Sequence, residues 1–278
     1  MKQEVITTHE LPYVPCRYGE SPTLFRGPRK RLDAPYIACI GGADTYGRFI
    51  ERPYPMLVER ALGKTCVNFG VVDGGVDMIL QDEAVLDICR KAETAVIQIT
   101  GAQNISNRFY KVHPRRNDRF MGPSSVLKAI YRDVDFSVFS TNRQMLGALF
   151  ANSPDRFETV VIELRTAWLA RMKTLIDRIG QHCVLLWFAD HLPTEKPWVA
   201  LGDQLHADPL FVTRAMIEEL RPLVREIVMV RPSAAALGRG TAGMYFEPDQ
   251  LRQAAELLGP DCHVEAAEAL TPVLGRAA

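Results

Sequence analysis

What the chain lacks narrows the field first. Neither charge sign is in excess, with 33 Lys and Arg against 33 Asp and Glu, so no global field draws the chain to nucleic acid or to an acidic membrane. No run of about 18 apolar residues occurs, and Met1 to Glu10 is polar with no apolar leader core. The chain therefore reads as neither membrane-spanning nor secreted. Its six cysteines, Cys16, Cys39, Cys66, Cys89, Cys183 and Cys262, show no C-x-x-C spacing. Cys39, Cys66 and Cys183 sit in apolar runs, which predicts reduced core thiols in a cytoplasmic protein rather than disulfides or zinc. His9, His113, His182 and His206 have no partner at metal-ligand spacing, so no metal is expected. The Gly41 to Gly47 turn matches neither G-x-G-x-x-G nor G-x-x-x-x-G-K, so the signal for a nucleotide loop there is weak, and no cofactor is expected. Internal repeats and low-complexity segments are absent as well.

What is present is an ordinary globular composition, 47% hydrophobic and 24% charged over 278 residues, enough for a sizeable core. After an arm rich in Pro and Arg (1–33), short apolar runs alternate with helix-like stretches, the pattern of a parallel sheet covered on both faces. Five strands are predicted: Tyr36 to Ile40, Cys66 to Phe69, Ala95 to Ile99, Cys183 to Phe188 and Ile227 to Val230. Tyr54 to Leu62, closed by Gly63, predicts a helix. Val76 to Cys89, apolar at Val76, Ile79, Leu80, Ala84 and Ile88, predicts one crossover helix. Asp155 opens another, whose stripe Val161, Leu164, Trp168, Met172, Leu175 and Ile179 faces a core. Ser125 to Tyr131 and Thr141 to Phe150 read as shorter helices over the sheet edge. The expected fold is a single three-layer α/β/α domain over 34–278, with about five parallel strands and a helical insertion around 108–155.

Chemistry concentrates at the strand ends. Ile37-Ala38-Cys39-Ile40-Gly41-Gly42-Ala43-Asp44-Thr45-Tyr46-Gly47 is an apolar run leading into a small, polar turn. Open α/β sheets deliver nucleophiles and bind ligands at that edge. Asp261-Cys262-His263 near the C-terminus places an acid two residues before an imidazole, a candidate orienter and base. The hydroxyl position itself is Ala43. Three readings stand: an inactivated Ser→Ala form of an active enzyme, a pseudo-enzyme that binds at the same pocket, or chemistry carried by Asp44 or Thr45. The backbone N–H groups of Gly70 and Ala43, with the amide of Gln103 or Asn104, are candidate oxyanion donors. Gly42 permits the tight turn. Asp190-His191, after the run Val184 to Ala189, is a rival pair at the same edge. The basic stretch Arg108 to Arg119, including Arg115 and Arg116, is expected to overhang the pocket and favour an anionic small molecule. Arg26, Arg29, Lys30 and Arg31 form a second basic cluster in the arm.

At these residues the chain resembles the SGNH (GDSL-like) hydrolase family. That family's Gly-Asp-Ser-x-x-x-x-Gly block looks like Gly41-Gly42-Ala43-Asp44-Thr45-Tyr46-Gly47, one residue tighter. Its second-block glycine looks like Gly70 in Val67-Asn68-Phe69-Gly70, its Gly-x-Asn-Asp block like Gly101-Ala102-Gln103-Asn104, and its Asp-x-x-His block like Asp261-Cys262-His263. The resemblance implies a flavodoxin-like fold and an esterase or acyltransferase using Ala43 (the nucleophile position), His263 and Asp261. Gly70 and the third-block amide would be the oxyanion donors, and an anionic or glycan-like ester the substrate. The alternatives are a non-catalytic binding protein for an anionic small molecule and a sulfuryl or phosphoryl transferase using Arg115, Arg116 and Arg119. The whole chain also resembles a group of alphaproteobacterial proteins, which implies no activity. A homo-oligomer is left open.

Overall fold

The computed structural model describes residues 11–195 and 208–276. Strands β1 (Tyr36–Gly41), β2 (Thr65–Gly70) and β3 (Thr94–Gln98) form the first half of the main sheet, with helices α1 (Ala43–Tyr46), α2 (Tyr54–Leu62), α3 (Val76–Leu80) and α4 (Glu83–Lys91) between them. A hairpin of β4 (Tyr110–His113) and β5 (Arg116–Pro123) follows, then α5 (Ser125–Ile130), α6 (Asn142–Asn152) and the long α7 (Pro154–Ile179). The chain re-enters the sheet as β6 (Cys183–Phe188), crosses by α8 (Arg214–Leu220) to β7 (Glu226–Val230), and ends with α9 (Ala234–Gly238), α10 (Leu251–Ala255) and α11 (Pro260–Leu274). The main sheet has the order β2-β1-β3-β6-β7, all pairs parallel. Counted by its own members this is the doubly wound order 2-1-3-4-5, whose ligand crevice lies where the connections diverge, at the carboxyl ends of the first and third strands.

Alternation along the strands builds two apolar layers. Ala38, Ile40, Val67, Phe69, Ile97, Leu185 and Trp187 join the core under α4 and α7, while Ile37, Cys39, Val96, Val184, Leu186, Phe188 and Val228 join the one under α2 and α11. The whole predicted stripe of α7, from Val161 to Ile179, is buried. Trp168 donates its indole N–H to Thr100 O at 2.9 Å, which ties this helix to the turn after β3.

Two expectations change. The single helix predicted over Val76 to Cys89 is broken at Gln81–Asp82, because Asp82 caps α4 by accepting from Val85 N (3.1 Å) and also accepts from Ser21 Oγ (2.5 Å). The insertion around 108–155 begins with the β4–β5 hairpin before its helices, and the basic stretch forms that hairpin, where Tyr110, Val112 and Phe120 are buried between exposed polar residues. The described part of the arm belongs to the same core: Tyr18 and Phe25 pack edge-on against Phe69 at 5.2 and 5.0 Å.

Candidate functional site

β1 stops at Gly41 and hands over to α1, whose first residue is Ala43. The turn is held by Gln98 at the end of β3. Gln98 Oε1 accepts from Gly42 N (3.1 Å), Thr45 N (3.2 Å) and Thr45 Oγ1 (2.6 Å), and Gln98 Nε2 donates to Asp44 Oδ2 (3.2 Å). The Thr45 proton is thereby engaged, so the Tyr54 hydroxyl, 2.9 Å away, donates to Thr45 Oγ1. Thr45 is fully buried in this network and is no nucleophile or ligand contact. Asp44 does face the cleft. It accepts from Gln98 and, at 3.4 Å, from Leu258 N, and burial pushes its carboxyl up to about 6.

The expected dyad is not assembled. His263 stands in the first turns of α11 with no exposed surface, its ring against Tyr54 and Phe188 at 6.2 and 5.2 Å. Its Nδ1 accepts from Tyr54 N at 3.2 Å, which puts the proton of the neutral ring on Nε2, the wrong tautomer for a base acting through that atom. Nε2 has no partner. Burial, with Arg26 adding to it, lowers the ring to about 3, so it stays uncharged. Asp261, two residues earlier on the same helix, faces the opposite way and lies exposed, 3.6 Å from Arg239. Gly70 is not an oxyanion donor either, since its N–H is engaged by Asn68 Oδ1 at 2.8 Å. It must be glycine, because a Cβ there would lie 2.1 Å from Tyr46 N. Gln103 also reverses its expected role: its Nε2 donates to Asp208 Oδ1 at 2.8 Å, leaving an acceptor where an oxyanion needs a donor. Asn104 lines the cleft with its Oδ1 accepting from Asn142 at 3.1 Å.

Gly42, Ala43, Asp44, Gln103, Asn104, Asp190 and Arg116 do meet in one cleft of about 1510 Å³ at the carboxyl edge. Asp190 pairs with His191 at 2.7 Å, and that hydrogen bond holds its carboxyl below the usual range. His191 itself leans on Trp187. The basic rim expected from the sequence is mostly elsewhere. Arg108 pairs with Glu163 at 3.0 Å, Arg115 is exposed on the hairpin turn, and neither lines the cleft. Arg116 lines it but sits 3.5 Å from both Asp73 and Asp118. The described walls carry Asp44, Asp73, Asp118, Asp190, Asp208, Glu247 and Glu256 against Arg48, Arg116 and Arg143, an acidic excess that disfavours an anion. Strain gathers here too. Phe49 (φ 66°) and Asp73 (φ 62°) both line the cleft in the left-handed region, which costs about 1–3 kcal/mol per residue and is a mark of functional sites.

A family model matches residues 1–278, under the description "Domain of unknown function (DUF6473)". The chain belongs to this family. No curated protein matches it. Among solved structures, the lipase Lip_vut3 from a goat rumen metagenome is similar at 14% identity and a TM-score of 0.40, covering 85% of this chain and 98% of that one. A catalytic mutant of Axe2, an acetylxylan esterase from Geobacillus stearothermophilus, is similar at 16% identity and a TM-score of 0.40, covering 87% and 94%. A carbohydrate esterase family 2 enzyme from Corynascus thermopiles (Myceliophthora fergusii) is similar at 11% identity and a TM-score of 0.41, covering 92% and 70%. Likeness at this level leaves the chemistry of this DUF6473 chain to its own residues. Two of those residues escape a reading of the sequence. Gln98 lies inside a run that reads simply as a buried strand, although an amide at a strand's carboxyl end was an available signal. Arg26, which donates to the carbonyls of Gly47 (2.6 Å), Ile50 (2.8 Å) and Glu51 (2.8 Å), gave no signal beyond its place in a basic cluster.

Proposed function

We propose that this chain is a non-catalytic binding protein that holds a small polar molecule in the cleft at the carboxyl edge of its sheet. The observation that carries this reading is the state of the would-be triad: Ala43 offers no hydroxyl, and His263 is sealed in the core with its Nδ1 engaged by Tyr54 N. An acyl-enzyme step needs a nucleophile and a base within hydrogen-bond reach of each other, and an oxyanion donor besides. Supporting it further, the Gly70 N–H and the Gln103 amide N–H are engaged inside the protein. The ester hydrolase or acyltransferase suggested by the strand-end motif requires a substituted Ala43, a different base, and oxyanion donors other than Gly70 and Gln103. Sulfuryl or phosphoryl transfer would need Arg115 and Arg119 in the cleft beside Arg116, and of these Arg116 alone lines it.

The test is hydrolysis of short p-nitrophenyl esters by the protein as it stands, by Ala43→Ser, and by Ala43→Ser combined with His263→Ala. All three are expected to be silent. Turnover that appears with the serine and disappears with His263→Ala would establish a latent triad and overturn the binding reading.

A further inference from the structure

Between α9 and α11 the chain runs along one side of the cleft as a loop closed on itself. Met244, Phe246, Gln250, Glu256 and Leu257 of this stretch line the cleft. Its two ends meet: a Cβ on Gly259 would lie 2.7 Å from Gly240 O, and Gly240 itself has φ 51°. Between these two glycines Ala254 alone is buried, so little apolar packing holds the stretch down. It keeps internal order through α10 and through two bonds between Glu247 and Gln250 (2.8 and 3.1 Å). A surface loop whose ends touch moves as one body, and sparse buried contact makes such a unit open far more easily than the whole fold.

Its outside contacts converge. Apart from Ala242 N–H to Arg239 O (3.0 Å) at its own hinge, the hydrogen bonds of 241–258 to the rest of the described residues all end on the turn after β1. Leu258 N donates to Asp44 Oδ1 (3.4 Å), Tyr245 N donates to Phe49 O (2.9 Å), and Gln253 Oε1 accepts from Arg48 Nη2 (2.5 Å). The Phe246 ring meets that of Phe49 at 6.0 Å. This receiving loop is fixed from behind by Arg26 on the carbonyls of Gly47 and Ile50, and its Phe49 is one of the two strained residues of the cleft. We propose that 240–259 is a hinged lid, latched on Asp44, Arg48 and Phe49, which swings about Gly240 and Gly259 to admit a molecule to the cleft and closes over it. Lids of this kind turn on a few element-terminal residues that absorb the backbone change, and glycine absorbs it without a steric cost. The lid goes beyond the binding reading and serves a bound ligand or a substrate alike, so its test stands apart from the ester assay.

Hydrogen exchange read by mass spectrometry on the full chain tests the opening. Amides of 241–258 are expected to exchange together, at least about a hundredfold faster than those of β1 and β6. Arg48→Ala removes the bond to Gln253, and Phe246→Ala removes the ring contact from the lid side. Each is expected to speed exchange across the whole lid by about three- to tenfold and leave the sheet unchanged, with circular dichroism checking that both variants fold. Access to the cleft is read by placing a thiol on its floor as Ala43→Cys, with the unsubstituted chain as the control for its own cysteines. N-pyrenyl maleimide is expected to label that thiol faster in either latch variant, while the small reagent methyl methanethiosulfonate is little affected. Lid exchange at the rate of β1 and β6, no acceleration in either folded variant, or pyrenyl labelling unmoved by both variants overturns the proposal.

Discussion

Thr45 illustrates how much of this site is decided by hydrogen-bond partners rather than by residue type. A threonine two positions from the nucleophile slot looks reactive on paper, yet its hydroxyl donates to Gln98 Oε1 and accepts from the Tyr54 hydroxyl. Thr45→Val keeps the volume and leaves the Tyr54 hydroxyl without its partner in the core. The expected cost is about 1–3 kcal/mol, the penalty of an unpaired buried polar group, read by denaturant unfolding. A change below a few tenths would mean that water replaces the lost partner. Ala43, Asp44 and Gln103 were legible as cleft residues because a small polar turn after a buried strand belongs at the ligand edge of such a sheet. The polarity of Gln103 was not legible, because it depends on Asp208, more than a hundred residues away.

Elements were legible where one stretch carries its own pattern. Tyr54–Leu62 coincides with its predicted bounds, and α7 buries its whole predicted stripe. They were misread where a distant group intervenes. The apolar spacing from Val76 to Ile88 runs on across the break at Asp82, whose carboxylate is held by Ser21 from the arm. The arm itself acts through one side chain. Arg26 is buried with no carboxylate among its hydrogen-bond partners, and backbone carbonyls of the loop after α1 take the place of water around its guanidinium. Arg26→Met is expected to cost at least about 2 kcal/mol, since several carbonyls lose their donor together. Its loop carries Phe49, whose N–H donates to Tyr13 Oη at 2.9 Å, so the same variant should weaken ligand binding as well. Loss of stability with unchanged affinity would separate the arm from the site.

For the whole molecule, one core group, His263, and one half-buried cleft group, Asp44, set opposing responses to acid. His263 falls from 6.5 to about 3 on folding, so below about 6.5 the unfolded chain takes up a proton that the folded one refuses, and stability is lost as pH drops toward about 3. Asp44 rises from 3.8 to about 6, so the folded form holds the extra proton, and this group favours folding as pH falls from about 6 to about 4. The histidine shift is the larger, so the net response is a fall in melting temperature on acidification, shallow between about pH 6 and pH 4, where the two groups take up about one proton each in opposite states, and steeper from about pH 4 toward pH 3. His263→Leu should flatten or invert that slope, and an unchanged slope would assign the acid response to other groups. The sequence by itself determined the layered α/β/α architecture and its five strands, because alternation along strands and the stripe of α7 are properties of short stretches and a covered parallel sheet is what can bury them. It also determined that the glycine-rich turn would sit at the ligand edge. Only the tertiary structure decided that His263 is sealed beneath Tyr54, that Asp261 faces away from it, and that most of the basic hairpin turns from an acidic cleft. Each of these is a matter of side-chain direction, set by partners far apart in the chain, and one position along a helix or strand is enough to send a functional group into the core or out to water.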